Sequence, residues 1–331
     1  MAEPFHKLKL ITEALLSPVL NYRVLNEAVQ SLNKLFCDAV DFDVLEITNQ
    51  HYITTKTGKA IAPGWAALCL IDMMRTRKFI LGIRDAIEER LKMNTGKPVI
   101  VMYAGTGPFA SLLTPLITVF SPAQLQMVLI EINPVNIRFL EKIIRQFGME
   151  DYLIDLVQAD AVNYSISENQ QPDIVVSETM NNALQKEPQV SIVANLLSQS
   201  NRKPFLIPEL IKVDVCLLGN IVENPVTIIS LKTLMELDAA TAVRIKNNPD
   251  DIQILSSGII VDIPSLPDPQ YKQLVLCTEI KVFGQHTLGY NESGITIPLI
   301  LMMTDAFKKF PVHLLFQYHV DSNPGFRVRE V

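Results

Sequence analysis

A chain of 331 residues with 48% hydrophobic and 19% charged residues can hold two domains, or one large α/β domain with an appendage, and is too apolar for a disordered chain. Its net charge of −6 lacks the basic surplus of a general nucleic-acid binder and suits a cationic partner better. Its apolar runs, such as "GITIPLILMM", fall short of the roughly 20 residues of a membrane-spanning helix, so no membrane association is expected. The start, "MAEPFHKLKLITEALL", has neither the apolar core nor the small-residue cleavage site of a signal peptide. Cys37, Cys69, Cys216 and Cys277 form no CxxC pair and no Cys/His cluster at metal-ligand spacing. These features predict a cytoplasmic protein with buried free thiols and no bound metal.

From about residue 8 to 45 the pattern is helical. Leu25, Ala28, Val29, Leu32, Leu35 and Phe36 make one apolar stripe, and Pro18 separates two helices. Such a prefix suits packing on the main domain or pairing with a second subunit. A longer helix is expected from Trp65 to Lys92, with Gly96 and Pro98 as stop signals. From Pro98 strands and helices alternate. "PVIVMY" (98–103), "QMVLIEI" (126–132), "YLIDLVQ" (152–158) and "PDIVVSE" (172–178) read as strands, and "NPVNIRFLEKIIRQFG" as a helix ending at Gly148. That alternation predicts an α/β fold with a parallel sheet and right-handed crossovers. Past Pro204 and Pro208, strand-like runs broken by Pro, Gly and Asn predict a β-rich, mostly antiparallel region, with a helix only at about 231–246. The expected divisions are 1–60, 61–207 and 208–331.

"YAGTGPFASLL" (103–113) follows the first strand and should open a helix. Gly105 and Gly107 let the backbone approach a ligand, and Pro108 suits the first helical turn, whose free N–H groups would face that ligand. Glu131 ends the next strand, where a carboxylate can accept both hydroxyls of a ribose. Asp160, with the Ala161 N–H, could hold an adenine edge. "GTGPFA" also satisfies the GxGxxA pattern of dinucleotide sites, so an NAD-dependent oxidoreductase stays in view, although no catalytic His, Lys or Tyr constellation accompanies it. Next comes "SETMNNALQKE" (Ser177–Glu187), which turns out of a core strand with two glutamates nine positions apart. Taken alone it is a solvated turn.

"VMYAGTGPFASLL", "LIEINP" and "PDIVVSETM…E", in this order, resemble the S-adenosylmethionine-dependent protein arginine methyltransferases, most of all their type II branch. The likeness runs from about His51 to Pro208. It implies a class I methyltransferase Rossmann-like sheet with a helical N-terminal segment and a C-terminal β-rich, barrel- or sandwich-like substrate domain. S-adenosyl-L-methionine would lie on Tyr103, Ala104, Gly105, Thr106, Gly107, Glu131, Ile132, Asp160, Ala161 and Glu178. "LIDMMRTRKF" (70–79) is similar to the family's cofactor-covering helix, with Arg75 pairing the methionine carboxylate and Tyr52 in the segment that closes over it.

Glu178 and Glu187 resemble the family's double-glutamate loop. A guanidinium is protonated and delocalised, so two carboxylates that grip it can orient one nitrogen and draw the charge toward the others. The implied activity is N-methylation of an arginine guanidinium, free or in a peptide or protein, with another cationic amine as the alternative and a homodimer as the assembly. One departure stands out. The family's Thr-His-Trp motif is absent, because the only tryptophan is Trp65; "YNESGITIPLIL" (290–301) is its positional counterpart. His286 falls near the substrate side by analogy.

Overall fold

The computed structural model describes residues 3–43, 45–94, 96–219, 227–263, 265, 270–307 and 309–331. The start of the expected strand "PVTIISL", Pro225 and Val226, lies outside them. Helices α1 (Glu3–Leu15) and α2 (Tyr22–Val40) are separate, and the Asn21 side chain caps α2 by accepting from the N–H groups of Arg23 and Val24. The α2 stripe packs inward, where the Phe36 ring meets Phe147 edge-on at 5.6 Å and Phe109 at 5.5 Å. Of the two uses open to this prefix, packing on the main body is the one made within the chain. A hairpin follows, β1 (Ile53–Thr55) with β2 (Gly58–Ala60).

The single helix expected from Trp65 to Lys92 is two, α3 (Pro63–Cys69) and α4 (Met73–Met93). The reason is Asp72. Its side chain accepts the Arg75 N–H at 3.1 Å, a helix-starting cap that ends the preceding turn.

Five strands form the parallel sheet: β3 (Val99–Ala104), β4 (Leu125–Glu131), β5 (Leu153–Gln158), β6 (Ile174–Ser177) and β7 (Phe205–Ile207), in the order β5-β4-β3-β6-β7. β4 leads to β5 through α5 (Pro134–Phe147), and β6 to β7 through α6 (Gln189–Ser198). β3, and the runs Met127–Ile130 of β4 and Ile174–Val176 of β6, are continuously apolar because both faces are covered. The helix expected after the glycine turn is absent. Ala110 takes φ 44°, which an α-helix does not accept, and Pro115 would break its interior, so turns lead to a 3₁₀ segment at Thr114–Thr118.

The remainder is antiparallel. β8 (Leu210–Leu218), β9 (Ile228–Leu237), β11 (Gln273–Phe283) and β12 (His286–Leu288) make the order β12-β11-β8-β9, and β13 (Leu299–Met303) pairs with the other end of β11. A second sheet runs β10 (Ile259–Ile263), β14 (Val312–His319), β15 (Gly325–Glu330). The helix expected over 231–246 is half wrong. Residues up to Leu237 extend β9, paired with β8 from Ile211↔Leu237 to Leu218↔Ile228, and only α7 (Ala239–Asn247) is helical, capped by Asp238. Sheet pairing outweighs the helical propensity of "LKTLMEL". One apolar core runs through the parallel and antiparallel parts.

Candidate active site

The carboxyl ends of β3, β4 and β6 open on a cavity of about 590 Å3, a size suited to a small molecule. Gly105 and Gly107 follow β3 at φ 73° and 64°. A Cβ on Gly105 would stand 2.1 Å from the Thr179 Cγ2, so only glycine lets the turn lie against the loop after β6. Glu131, at the end of β4, is buried. Its two oxygens accept the N–H groups of Gly107 and Asn133, both at 2.8 Å. Burial raises its pKa, and these hydrogen bonds with the Asn136 amide oppose the rise. Ile132, Asp160 and Ala161 continue the wall. Asp160 is itself ordered by the Val162 N–H, which donates to its Oδ1 at 3.0 Å.

Arg75 reaches the cavity from the first turn of α4. Its guanidinium donates to Glu178 and, at 2.9 Å, to the Cys69 carbonyl, and both charged side chains are buried. Two buried polar atoms in the wall, Arg75 Nε and Asn136 Oδ1, have no hydrogen-bond partner among the described residues. Since buried polar atoms are nearly always satisfied, both point to a polar ligand.

The loop 178–187 is held from several sides. Gln189, buried at the start of α6, donates to the Ser177 carbonyl at 2.9 Å and accepts the Thr179 N–H at 2.9 Å. Ala183, Leu184 and Lys186 take φ of 53°, 55° and 69°, a region unfavourable for residues with a side chain. Contacts from the antiparallel part hold them there. The Ala183 N–H donates to Thr278, the Tyr318 hydroxyl to the Leu184 carbonyl, and the Lys186 N–H to the Pro324 carbonyl. The hairpin β1–β2 closes the other side. The Lys59 N–H donates to the Lys186 carbonyl at 2.8 Å, and Gly58 lies so close that a Cβ would meet the backbone of Lys186 and Pro188 at 3.0 Å.

Glu187 therefore faces the same cavity as Glu178, half-buried, and its carboxylate has no hydrogen-bond or ion-pair partner among the described residues. Desolvation pushes its pKa up to about 7, against the attraction of Arg75 and Lys186. Residues 290–296 reach the cavity through Gly294 and Ile295. They are latched to α4, for Asp72 Oδ2 accepts the Ser293 hydroxyl at 2.7 Å and the Gly294 N–H at 2.8 Å.

Arg75, Tyr103, Gly105, Thr106, Gly107, Glu131, Ile132, Asp160, Ala161, Glu178 and Glu187 thus share one wall. Two candidates lie outside it. Ala104 is fully buried within β3, and Tyr52 is exposed, with the Lys59 ammonium over its ring at 4.9 Å. His286 is also elsewhere. It bonds Asp85 of α4 at 2.7 Å, tying β12 to that helix, so its place beside the substrate is corrected. Sequence reasoning missed Thr179, Gln189, Asn136 and the hairpin. "TTKTGKA", with its glycine between two short extended runs, was the one signal available for the hairpin. Among the described residues no group of three or more His, Cys, Asp or Glu is gathered for a metal, and no helix is long and apolar enough to cross a membrane.

No family model and no curated protein matches the chain. Solved structures do. The chain is similar to one in the Trypanosoma brucei PRMT1 enzyme–prozyme heterotetrameric complex with AdoHcy, at 13% identity and TM-score 0.54, over 79% of this chain and 91% of that one. It is also similar to PRMT6 with SAH, at 12% identity and TM-score 0.52, over 78% and 97%. At such identities the likeness is one of fold: a parallel α/β sheet followed by an antiparallel β-rich region.

Proposed function

We propose that the protein is a cytosolic S-adenosyl-L-methionine-dependent N-methyltransferase whose substrate carries an arginine guanidinium. The observation that carries this reading is the pair Glu178 and Glu187 on one strained loop, facing a cavity that also holds a nucleoside-type glycine turn and Glu131. The AdoHcy and SAH of the two structural neighbours support the same cofactor here. The glycine turn would also admit a dinucleotide, but an unpaired carboxylate on the opposite wall favours a cation.

The residues fit that cofactor. The unpartnered Arg75 Nε can donate to a carboxylate, Glu131 can accept ribose hydroxyls, and the Gly105–Gly107 backbone leaves room for close approach. When bound, S-adenosyl-L-methionine supplies an electrophilic methyl on a sulfonium. Arg75 covers one oxygen of Glu178 and leaves the other for the substrate. Glu178 and Glu187 would then grip the guanidinium through two of its nitrogens, fix its plane and hold positive charge on the gripped side. That would leave the lone pair of the third nitrogen the most available of the three. Ser293 and Gly294, tied to Asp72, would limit what sits beside the clamp.

The division at residues 60 and 207 belongs to this reading, with the cofactor on the middle part and the β-rich part completing the substrate side. So does a homodimer, for which the exposed Val19 and Leu20 before α2 and Tyr22 and Val24 in its first turn offer an apolar surface. The test is incubation with methyl-labelled S-adenosylmethionine and arginine-bearing compounds, with mass analysis of the products. Label on a guanidinium nitrogen is expected. Failure of calorimetry to detect S-adenosylhomocysteine binding at sub-millimolar concentration would sink the cofactor assignment.

A further inference from the structure

Two opposite charges stand unpaired on the hairpin side of the cavity. One is Glu187. The other is Lys59, the only basic residue besides Arg75 among those lining it. The residue is half-buried, and its ammonium has no hydrogen-bond or ion-pair partner among the described residues and rests over the exposed Tyr52 ring. Their backbones are next to each other, since the Lys59 N–H donates to the carbonyl of Lys186 and Gly58 abuts the Glu187 backbone. Such neighbours on a solvated surface would usually drift together. Here the hairpin and the strained loop each fix their own backbone, and no ion pair among the described residues joins the two side chains. Leaving the desolvated Glu187 carboxylate unmatched is unfavourable unless a ligand answers it, and the Lys59 ammonium beside the same loop is free to answer the opposite charge of that ligand.

From this arrangement we infer that the substrate is a zwitterion: a free α-amino acid bearing a guanidinium, whose carboxylate is bound by Lys59 while its guanidinium enters the clamp of Glu178 and Glu187. The inference rests on the proposed methyltransferase reading and narrows its substrate class. An arginine within a polypeptide has an amide where this carboxylate would be, and gives Lys59 nothing to pair with. Tyr52, outside the cavity wall, would act by holding the ammonium in position rather than by touching the cofactor.

The test compares L-arginine, agmatine (the same molecule without the carboxylate) and an internal-arginine peptide on the full chain. Methylation is followed by mass analysis, and L-arginine binding is followed by calorimetry in the presence of S-adenosylhomocysteine. A charge-assisted hydrogen bond predicts kcat/KM at least about ten-fold higher for L-arginine than for agmatine, with the peptide poorest. Lys59→Met should raise KM and the calorimetric Kd for L-arginine by about the same factor, far more than it raises KM for agmatine, and be partly rescued by Lys59→Arg. Equal use of L-arginine and agmatine by the unaltered chain, or faster methylation of the peptide, would overturn the zwitterion while leaving guanidinium methylation standing. No methylation of any of the three, with S-adenosylhomocysteine bound, would overturn both. The comparison of substrates on the unaltered chain decides the matter even if the Lys59 variants fail to fold.

Discussion

Glu187→Gln should stabilise the ligand-free protein while abolishing its turnover, and the gain should depend on pH. Burial raises the Glu187 carboxyl from the usual 4.5 to about 7, so the folded chain holds this proton more tightly than the unfolded chain. The sign follows directly. The stability contributed by the protonated acid is fully present below about pH 4.5 and is lost as pH rises through about 7. At about 1.4 kcal/mol per pH unit, the step from 4.5 to about 7 amounts to a loss of about 3 kcal/mol above neutrality. Glutamine keeps the shape and never ionises, so it avoids that loss. Urea unfolding of both proteins should give the variant an advantage of up to about 3 kcal/mol at pH 8.5, shrinking by about 2 kcal/mol at pH 5.5. Meanwhile kcat/KM of the unaltered enzyme should rise roughly ten-fold per pH unit below about 7 and level off above it, because the free enzyme must ionise Glu187 before it can grip a cation. An equal stability difference at both pH values, or a variant less stable at pH 8.5, would refute the placing of a desolvated carboxylate at this position.

Other substitutions probe the surroundings. Gly105→Ala forces a Cβ to within 2.1 Å of the Thr179 Cγ2 at a φ of 73°, so S-adenosylhomocysteine affinity measured by calorimetry should fall at least about ten-fold. Adding Thr179→Ser, which removes that methyl and keeps the hydroxyl bonded to Gln189, should recover part of the loss. Gly58→Ala should push on the backbone of Lys186 and Pro188, lowering kcat in steady-state assays by about an order of magnitude with cofactor affinity unchanged. His286→Ala should cost about 1–3 kcal/mol in urea unfolding through the lost bond to Asp85, with kcat/KM intact, because this imidazole lies outside the cavity.

Much of the frame was legible in the residues because it rests on local rules. Apolar strands with both faces covered need no partner to be recognised, and β3, β4 and β6 stand out as continuous runs. Pro18 and Gly148 punctuate helices by their own geometry. The structure departs from periodicity where strand pairing, a left-handed turn or a side-chain cap outweighs it. The run at 231–237 became strand because β8 lies beside it, and the helix expected after the glycine turn gave way to a left-handed Ala110. Asp72 split a helix that periodicity alone joins.

The site divides along the same line. The glycine turn, the acid ending β4 and the spacing of Glu178 and Glu187 are written into the chain, because each depends on residue type within a few positions of a strand end. Which of these groups face a common space is a matter of tertiary structure. "SETMNNALQKE" contains no glycine, yet three of its residues adopt left-handed conformations, and hydrogen bonds shared with Thr278, Tyr318 and Pro324 of the antiparallel part hold them there. Local propensity disfavours that path, and only contacts from residues far along the chain outweigh the cost. The hairpin sets the backbone of Lys59 beside that of the loop while its ammonium and the Glu187 carboxylate stay unpaired among the described residues. The choice of a cation for the clamp is therefore legible in two glutamates, whereas the anion that accompanies it is legible only once the hairpin has folded against the loop.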